Sequence, residues 1–168
     1  MDLSAAEIWV ASAAHHFGFQ LAVSVVCGAI VGTERQLRNK AIGIRTSILI
    51  CLATQVFVRL STDLSAHAVV SDPTRVLGQV VTGVGFLGAG VILAKGGSIT
   101  GVTSAAVVWM LAAIGSTIGT GRPIEALGLS TLVIVVLIGV RKLEVAFKRL
   151  GGGSDEPEAV GEESRPTF

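Results

Sequence analysis

Apolar runs alternate with short polar segments along the chain, and each run is long enough to form a helix that crosses a lipid bilayer. A crossing helix needs about 20 mostly apolar residues, because the hydrocarbon core of a membrane is about 30 Å thick. The runs predict five spans, over residues 17–33, 44–60, 73–94, 102–118 and 124–140. The predicted fold is therefore all-α, a polytopic membrane bundle of five transmembrane helices.

The segments outside the spans divide the chain into three parts. Residues 1–16 are predicted to form an interfacial helix on the outer side, where Trp9 is typical of a membrane surface. Residues 17–150 form the predicted transmembrane domain. Residues 151–168 open with glycines and continue with acidic residues, which predicts a flexible cytoplasmic tail.

The composition excludes a soluble globular protein. Of the 168 residues, 51% are hydrophobic and only 15% are charged, and the mean hydropathy is +0.72. Five spans use most of the chain and leave no room for a separate soluble domain of ordinary size. The sequence contains no hydrolytic triad and no ATP-binding loop, so we expect neither an enzyme nor a nucleic-acid partner.

The lysines and arginines near the span ends predict the orientation of the chain. One side of the threading is rich in them: Arg35, Arg38, Lys40, Arg45, Lys95, Arg141, Lys142, Lys148 and Arg149. The other side has few: Arg59, Arg75 and Arg122. Because cytoplasmic ends of membrane proteins carry the excess of positive charge, the N-terminus is predicted outside and the C-terminus in the cytoplasm.

Two short segments of similar sequence open the second and the fourth span. Residues 43–47 read Gly-Ile-Arg-Thr-Ser, and residues 101–105 read Gly-Val-Thr-Ser-Ala. Such a match indicates a parallel two-helix repeat, related by an axis normal to the membrane. Coincidence is the alternative, because the match is short.

A polar segment between the first two spans is the first candidate functional cluster. Glu34 and Arg38 are four residues apart and can pair on one helical face. Charges so close to the hydrocarbon edge need partners, and an arginine cluster there can also bind an anionic lipid headgroup or a phosphate. The alternative is a purely topological role as a cytoplasmic anchor. The cluster comprises Glu34, Arg35, Gln36, Arg38, Arg45 and Thr46.

A second candidate cluster opens the third span and consists of Asp72, Arg75 and Gln79. Arg75 and Gln79 share one helical face, and Asp72 lies three residues before Arg75. The alternative is structural, because Asp72 followed by Pro73 is a typical helix start.

Small residues at helical spacing predict close contacts between helices. The run Gly83 to Gly88 reads G-x-G-x-x-G, but it lies inside a span and no acid follows about 20 residues later, which argues against a dinucleotide site. Close packing is the favoured interpretation, and a mid-membrane break of the helix is the alternative. Whether the contacts are within one chain or between chains stays open. The predicted packing residues are Gly28, Gly32, Gly83, Gly85, Gly88, Gly90, Trp109, Gly115 and Gly119.

Three segments together resemble the signatures of the MgtC/SapB family. The first is Gly32-x-Glu34-Arg35-Gln36 with its continuation to Thr46, the second covers residues 72–90, and the third covers residues 101–115. The resemblance implies a five-span bacterial inner-membrane protein linked to growth at low magnesium and, in some members, to virulence. It also implies a regulator of other membrane machinery, such as the rotary ATP synthase. The best-known members carry an ACT-like C-terminal domain, whereas only a short tail follows the last predicted span here.

Three functions therefore stay open. The first is regulation of membrane partners, the second is transport of magnesium or another small ion, and the third is binding of anionic lipid or phosphate. No cofactor is predicted; magnesium and bound lipid are the ligands still open, and no metal-binding residues can be assigned. Membrane lipid and a second copy of the chain are the expected partners, because so short a bundle presents more small-residue surface than it can bury alone.

Overall fold

Five long helices and a short hairpin make up the residues that the computed structural model describes, which are residues 3–65, 72, 74–95 and 98–150. Each helix is long and apolar enough to cross a membrane, which confirms the predicted five-helix fold. The predicted acidic tail, residues 151–168, lies outside the described residues. The helices are α1 (Leu3–Leu37), α2 (Ile44–Ser65), α3 (Thr74–Val91), α4 (Val102–Gly119) and α5 (Pro123–Leu150).

Helix α1 is one continuous helix, where the sequence predicted an interfacial helix over residues 1–16 and a separate span. Only its part from His16 to Leu37 has the length and hydropathy of a span. No proline interrupts this stretch, so the backbone hydrogen bonds continue from one part into the other. Glu34, Arg35 and Gln36 consequently belong to the last turn of α1 and do not form a loop.

Asn39 ends helix α1 in a left-handed conformation, with a φ of 50°. The backbone N–H of Asn39 donates to Gln36 O at 3.0 Å, and the N–H of Lys40 donates to Arg35 O at 3.0 Å. These are the two hydrogen bonds of a Schellman motif, in which glycine or asparagine takes the left-handed position. The same motif ends α4 at Gly121, whose φ is 86°.

Replacing Asn39 with alanine is expected to lower the free energy of unfolding by about 1 kcal/mol, because a Cβ without a local polar partner disfavours the left-handed conformation. Asn39→Gly is the matched control and is expected to cause no loss, since glycine adopts positive φ freely. Thermal unfolding of the purified variants in one detergent measures both. Equal melting of the alanine and glycine variants would contradict this account of the helix end.

A two-stranded antiparallel hairpin connects α3 to α4, where the sequence predicted that the third helix continues to about Ala94. Strand β1 (Leu93–Lys95) pairs with β2 (Ser98–Thr100), and Lys95 lies opposite Ser98. This register leaves two residues, Gly-Gly in the sequence, to join the strands, and such a pair is a typical hairpin link. Helix α4 then begins after Gly101, whose φ of 92° suits glycine.

Helix α4 lies at the centre of the bundle, in contact with each of the other four helices. Its apolar side chains Leu111, Ile114 and Ile118 are fully buried. Helix α2 packs between α1 and α4, whereas α3 contacts mainly α4 and makes few contacts with α2. A groove between α2 and α3 therefore stays open on the surface of the bundle.

Candidate functional site at the last turn of α1

Glu34 and Arg35 are buried at the end of α1, although both are charged. Glu34 is 8% exposed and Arg35 is 3% exposed. The Nε–H of Arg35 donates to Glu34 Oε2, and Arg38 forms an ion pair with Glu34 Oε1. One carboxylate is thus held between two guanidinium groups, and the formal charge of the three side chains is positive. We call these three residues the Glu34 cluster.

The helical spacing and the following loop hold the Glu34 cluster in place. Arg38 follows Glu34 by four residues, which brings the two side chains together near the end of the helix. The side chain of Gln36 bridges the loop, because its Oε1 accepts the backbone N–H of Ile44 at 3.2 Å. Ile42 is 1% exposed and anchors the loop in the apolar core. The connection between α1 and α2 is therefore short and fixed at both ends.

Arg45 and Thr46, which the sequence analysis grouped with these residues, lie outside the Glu34 cluster. Both are exposed on the first turn of α2, whereas the next residue, Ser47, is fully buried. Ser47 faces α1, where a Cβ on Gly32 would come within 2.9 Å of Ser47 Cβ. Since successive residues of a helix point in different directions, Arg45 and Thr46 are turned away from α1. Gln36, also exposed, contributes to the loop and not to the ion pairs.

Four of the predicted packing glycines bring helix backbones into direct contact within one chain. A Cβ on Gly28 would lie 2.6 Å from Ile48 Cα, and one on Gly32 would lie 2.6 Å from Ile44 Cα. Further along α2, a Cβ on Gly115 would lie 2.5 Å from Cys51 O. A Cβ on Gly119 would lie 2.7 Å from Gln55 O. The first turns of α2 therefore lie against a glycine pair of α1, and its middle turns lie against a glycine pair of α4.

The glycines of α3 are placed differently. A Cβ on Gly88 would touch Ala105 of α4 at 3.7 Å, an ordinary contact. A Cβ on Gly83, Gly85 or Gly90 would meet nothing within 4 Å in the described part of the chain. The structure therefore gives these three glycines no packing role inside the chain, because α3 lies at the edge of the bundle.

Trp109, the remaining predicted packing residue, lies on the outer face of α4. It is 54% exposed, so much of its surface faces the surroundings of the bundle and not its core. The buried side chains Val107, Val108 and Leu111 define the inner face of this part of α4.

The second predicted cluster has the geometry of a helix start. Asp72 Oδ1 accepts hydrogen bonds from the backbone N–H of Thr74 at 2.9 Å and from Thr74 Oγ1 at 2.6 Å. These hydrogen bonds lower the pKa of the Asp72 carboxyl, and the positive charge of Arg75 adds to the effect. Arg75 and Gln79 are exposed on the next turns, and Gln79 lines the groove between α2 and α3.

Sequence reasoning missed a set of buried polar side chains inside the bundle. Gln55 is fully buried on α2, and its Nε2–H donates to Gln20 Oε1 of α1 at 3.5 Å. Ser24, one turn after Gln20, is fully buried as well. Glutamines within spans are a signal that could have found this pair, because polar groups in hydrocarbon need partners across helices. Their meeting depends on how α1 packs on α2, which single residues do not reveal.

Comparison with known proteins places these residues in a family. A model of the MgtC family matches residues 21–146. The chain is 44% identical to the putative magnesium transporter YhiD of Escherichia coli K12 over 120 aligned residues. This alignment covers 68% of this chain and 54% of that protein. It is 35% identical over 144 residues to the protein MgtC of Brucella abortus, covering 84% of this chain and 59% of that protein.

The chain thus spans little more than half the length of these curated relatives. A protein of Synechocystis, slr0014, is 40% identical over 124 residues, covering 74% of this chain and 52% of that protein. No solved structure matches the chain. The matched region includes all of the Glu34 cluster and all five spans of the bundle except the beginning of the first and the last residue of the fifth.

Proposed function

The chain belongs to the MgtC family, and from this premise we propose that it is a non-enzymatic protein of the bacterial inner membrane that serves magnesium homeostasis by regulating other membrane machinery. The curated relatives supply the link to magnesium, since one of them is named a putative magnesium transporter. We favour regulation over transport because Glu34 is buried and paired with two arginines.

Glu34 is the one acidic side chain that is buried in the bundle, among the residues for which the structure describes burial. Its two carboxylate oxygens are engaged by Arg35 and Arg38. Magnesium is usually held through one or two carboxylates while it keeps several waters. A carboxylate already neutralised by two guanidinium groups is a poor ligand for such an ion. This observation supports a structural or partner-binding role for the Glu34 cluster and not an ion pathway.

The exposed residues beside the cluster support partner binding. Arg45 and Thr46 are exposed on the first turn of α2, next to a loop whose ends are fixed. In the predicted orientation this surface faces the cytoplasm. A rigid, positively charged surface suits an acidic segment of a membrane partner, and the rotary ATP synthase is the partner that the family resemblance suggests. We include a homodimer in the proposal, since Gly85 and Gly90 leave backbone of α3 open to a second copy.

Two measurements test the proposal against transport. Purified chain in liposomes that enclose a magnesium-sensitive dye is expected to produce no magnesium flux above that of empty liposomes. A photo-crosslinking side chain at Thr46 is expected to capture a membrane protein in cells grown at low magnesium. The same side chain at Leu132, which is exposed on α5, is the control for random contact in the membrane.

Magnesium flux that Glu34→Gln or Asp72→Asn abolishes would overturn the proposal and establish transport. Equal capture at Thr46 and Leu132, together with no flux, would also contradict it, because regulation through this surface requires a specific contact. Release of capture at Thr46 by soluble phosphate or by anionic lipid would instead support headgroup binding by the basic surface, the third function left open by the sequence.

A further inference from the structure

The groove between α2 and α3 is an apolar cleft that is open on the side of the bundle. Its volume is about 520 Å³, within the range of about 300–1,000 Å³ that is typical of small-molecule sites. Large side chains line it from both helices: Ile50, Phe57 and Leu60 from α2, and Val76, Val80 and Leu87 from α3. Gly83 also lines the groove, and because it has no side chain it leaves the middle of the groove open; a Cβ there would meet nothing within 4 Å.

The dimensions of this groove suit an extended hydrocarbon chain. From Ile50 to Leu64, the ends of its lining on α2, the helix rises about 21 Å at 1.5 Å per residue. The lining over that length is apolar except for Thr54, Ser61 and Gln79, which suits an acyl chain. The length of the groove is a little more than one leaflet of a hydrocarbon core about 30 Å thick.

Polar groups gather at one end of the groove, where α2 ends and α3 begins. Ser61 and Gln79 line this end, and Arg75 lies one helical turn before Gln79. Among the described residues, no carboxylate lies within ion-pairing distance of the Arg75 guanidinium, while Arg59 is paired with Asp63 at 2.9 Å. Asp72 adds a negative charge at the same end, which balances the positive charge of Arg75.

We propose that this groove binds one zwitterionic glycerophospholipid, with an acyl chain between α2 and α3, its phosphate at Arg75 and Gln79, and its ammonium near Asp72. A guanidinium group binds phosphate through parallel hydrogen bonds, and a carboxylate accepts from an ammonium group. The predicted orientation places the headgroup in the outer leaflet. This site is separate from the Glu34 cluster, which lies at the opposite end of α2, and it goes beyond the proposed function.

Native mass spectrometry of the chain, released from bilayers that contain equal amounts of phosphatidylethanolamine and phosphatidylglycerol, tests this proposal. The wild-type chain is expected to retain one phosphatidylethanolamine. Gly83→Leu is expected to abolish retention by filling the groove. Gly78→Leu on the same helix is the matched control, since a Cβ on Gly78 also meets nothing within 4 Å and the residue does not line the groove; it is expected to retain the lipid.

Arg75→Gln provides an independent variant that leaves the groove open. It is expected to weaken retention about tenfold, which corresponds to 1.4 kcal/mol, whereas Arg122→Gln at the same predicted side of the membrane is expected to have no effect. Unchanged retention in Gly83→Leu would overturn the proposal, as would a preference for phosphatidylglycerol. A chain retained only as a lipid-free dimer, cross-linked through Gly83→Cys, would assign the groove to a second copy and overturn it as well.

Discussion

Replacing Glu34 with glutamine is expected to destabilise the bundle more than replacing Glu34 and Arg35 together. In the single variant, the Arg35 guanidinium stays buried without its counter-ion. Breaking a buried ion pair by removing one partner costs about 3–5 kcal/mol, most of which is the cost of the unpaired charge. Removing both charges leaves neutral side chains of similar shape, so the loss is expected to be smaller. The free energy of unfolding, measured by denaturant titration in detergent for both variants and for Arg35→Gln, completes a double-mutant cycle.

The exposed pair Arg122 and Glu125 is the matched control for Glu34. Its side chains are 66% and 62% exposed, and the closest charged atoms are 3.6 Å apart. Exposed pairs of this kind contribute at most about 1 kcal/mol, so Glu125→Gln is expected to change stability little. If Glu34→Gln and Glu125→Gln gave equal stabilities, Glu34 could not be the buried counter-ion that the proposed function requires.

The five helices could be predicted from the sequence because hydropathy acts on whole segments. A span must satisfy its backbone hydrogen bonds internally, so a long apolar run has few alternatives to a helix. The ends of the helices depend on single residues and were harder to place. Asn39 and its two backbone hydrogen bonds end α1, and the hairpin that follows Val91 shortens α3. Each of these two helix ends has a local signal in the sequence. Asparagine favours the left-handed position after α1, and a Gly-Gly pair favours a hairpin after α3.

The candidate site could be predicted only as far as its contacts are local. Arg38 follows Glu34 by four residues at the end of α1, so the spacing alone indicated their pair. The burial of Arg35 depends on how the loop and the neighbouring helices cover it, which no local pattern shows. The hydrogen bond between Gln20 of α1 and Gln55 of α2 joins two residues that are 35 positions apart in the sequence. Small residues indicated close packing, but only the packed bundle distinguishes Gly115, in contact with α2, from Gly85, which faces outwards.

That distinction leads to the second large effect, which is expected for Gly115→Ala. The new Cβ would lie 2.5 Å from Cys51 O and 2.9 Å from Thr54 Cβ. Because Cys51 O is part of the α2 backbone, a side-chain rotation cannot relieve the clash, and α2 and α4 must separate. Overpacking in a well-packed core typically costs about 1–3 kcal/mol. A lower midpoint of thermal or denaturant unfolding in detergent measures this loss.

Gly128→Ala separates this clash from the general effect of removing a glycine from a helix. Gly128 lies on α5, and a Cβ there would meet nothing within 4 Å in the described part of the chain. Its replacement is expected to leave stability unchanged or to raise it slightly, since alanine favours the helix more than glycine does. If Gly115→Ala were as stable as Gly128→Ala, the α2 backbone would not lie in direct contact with Gly115.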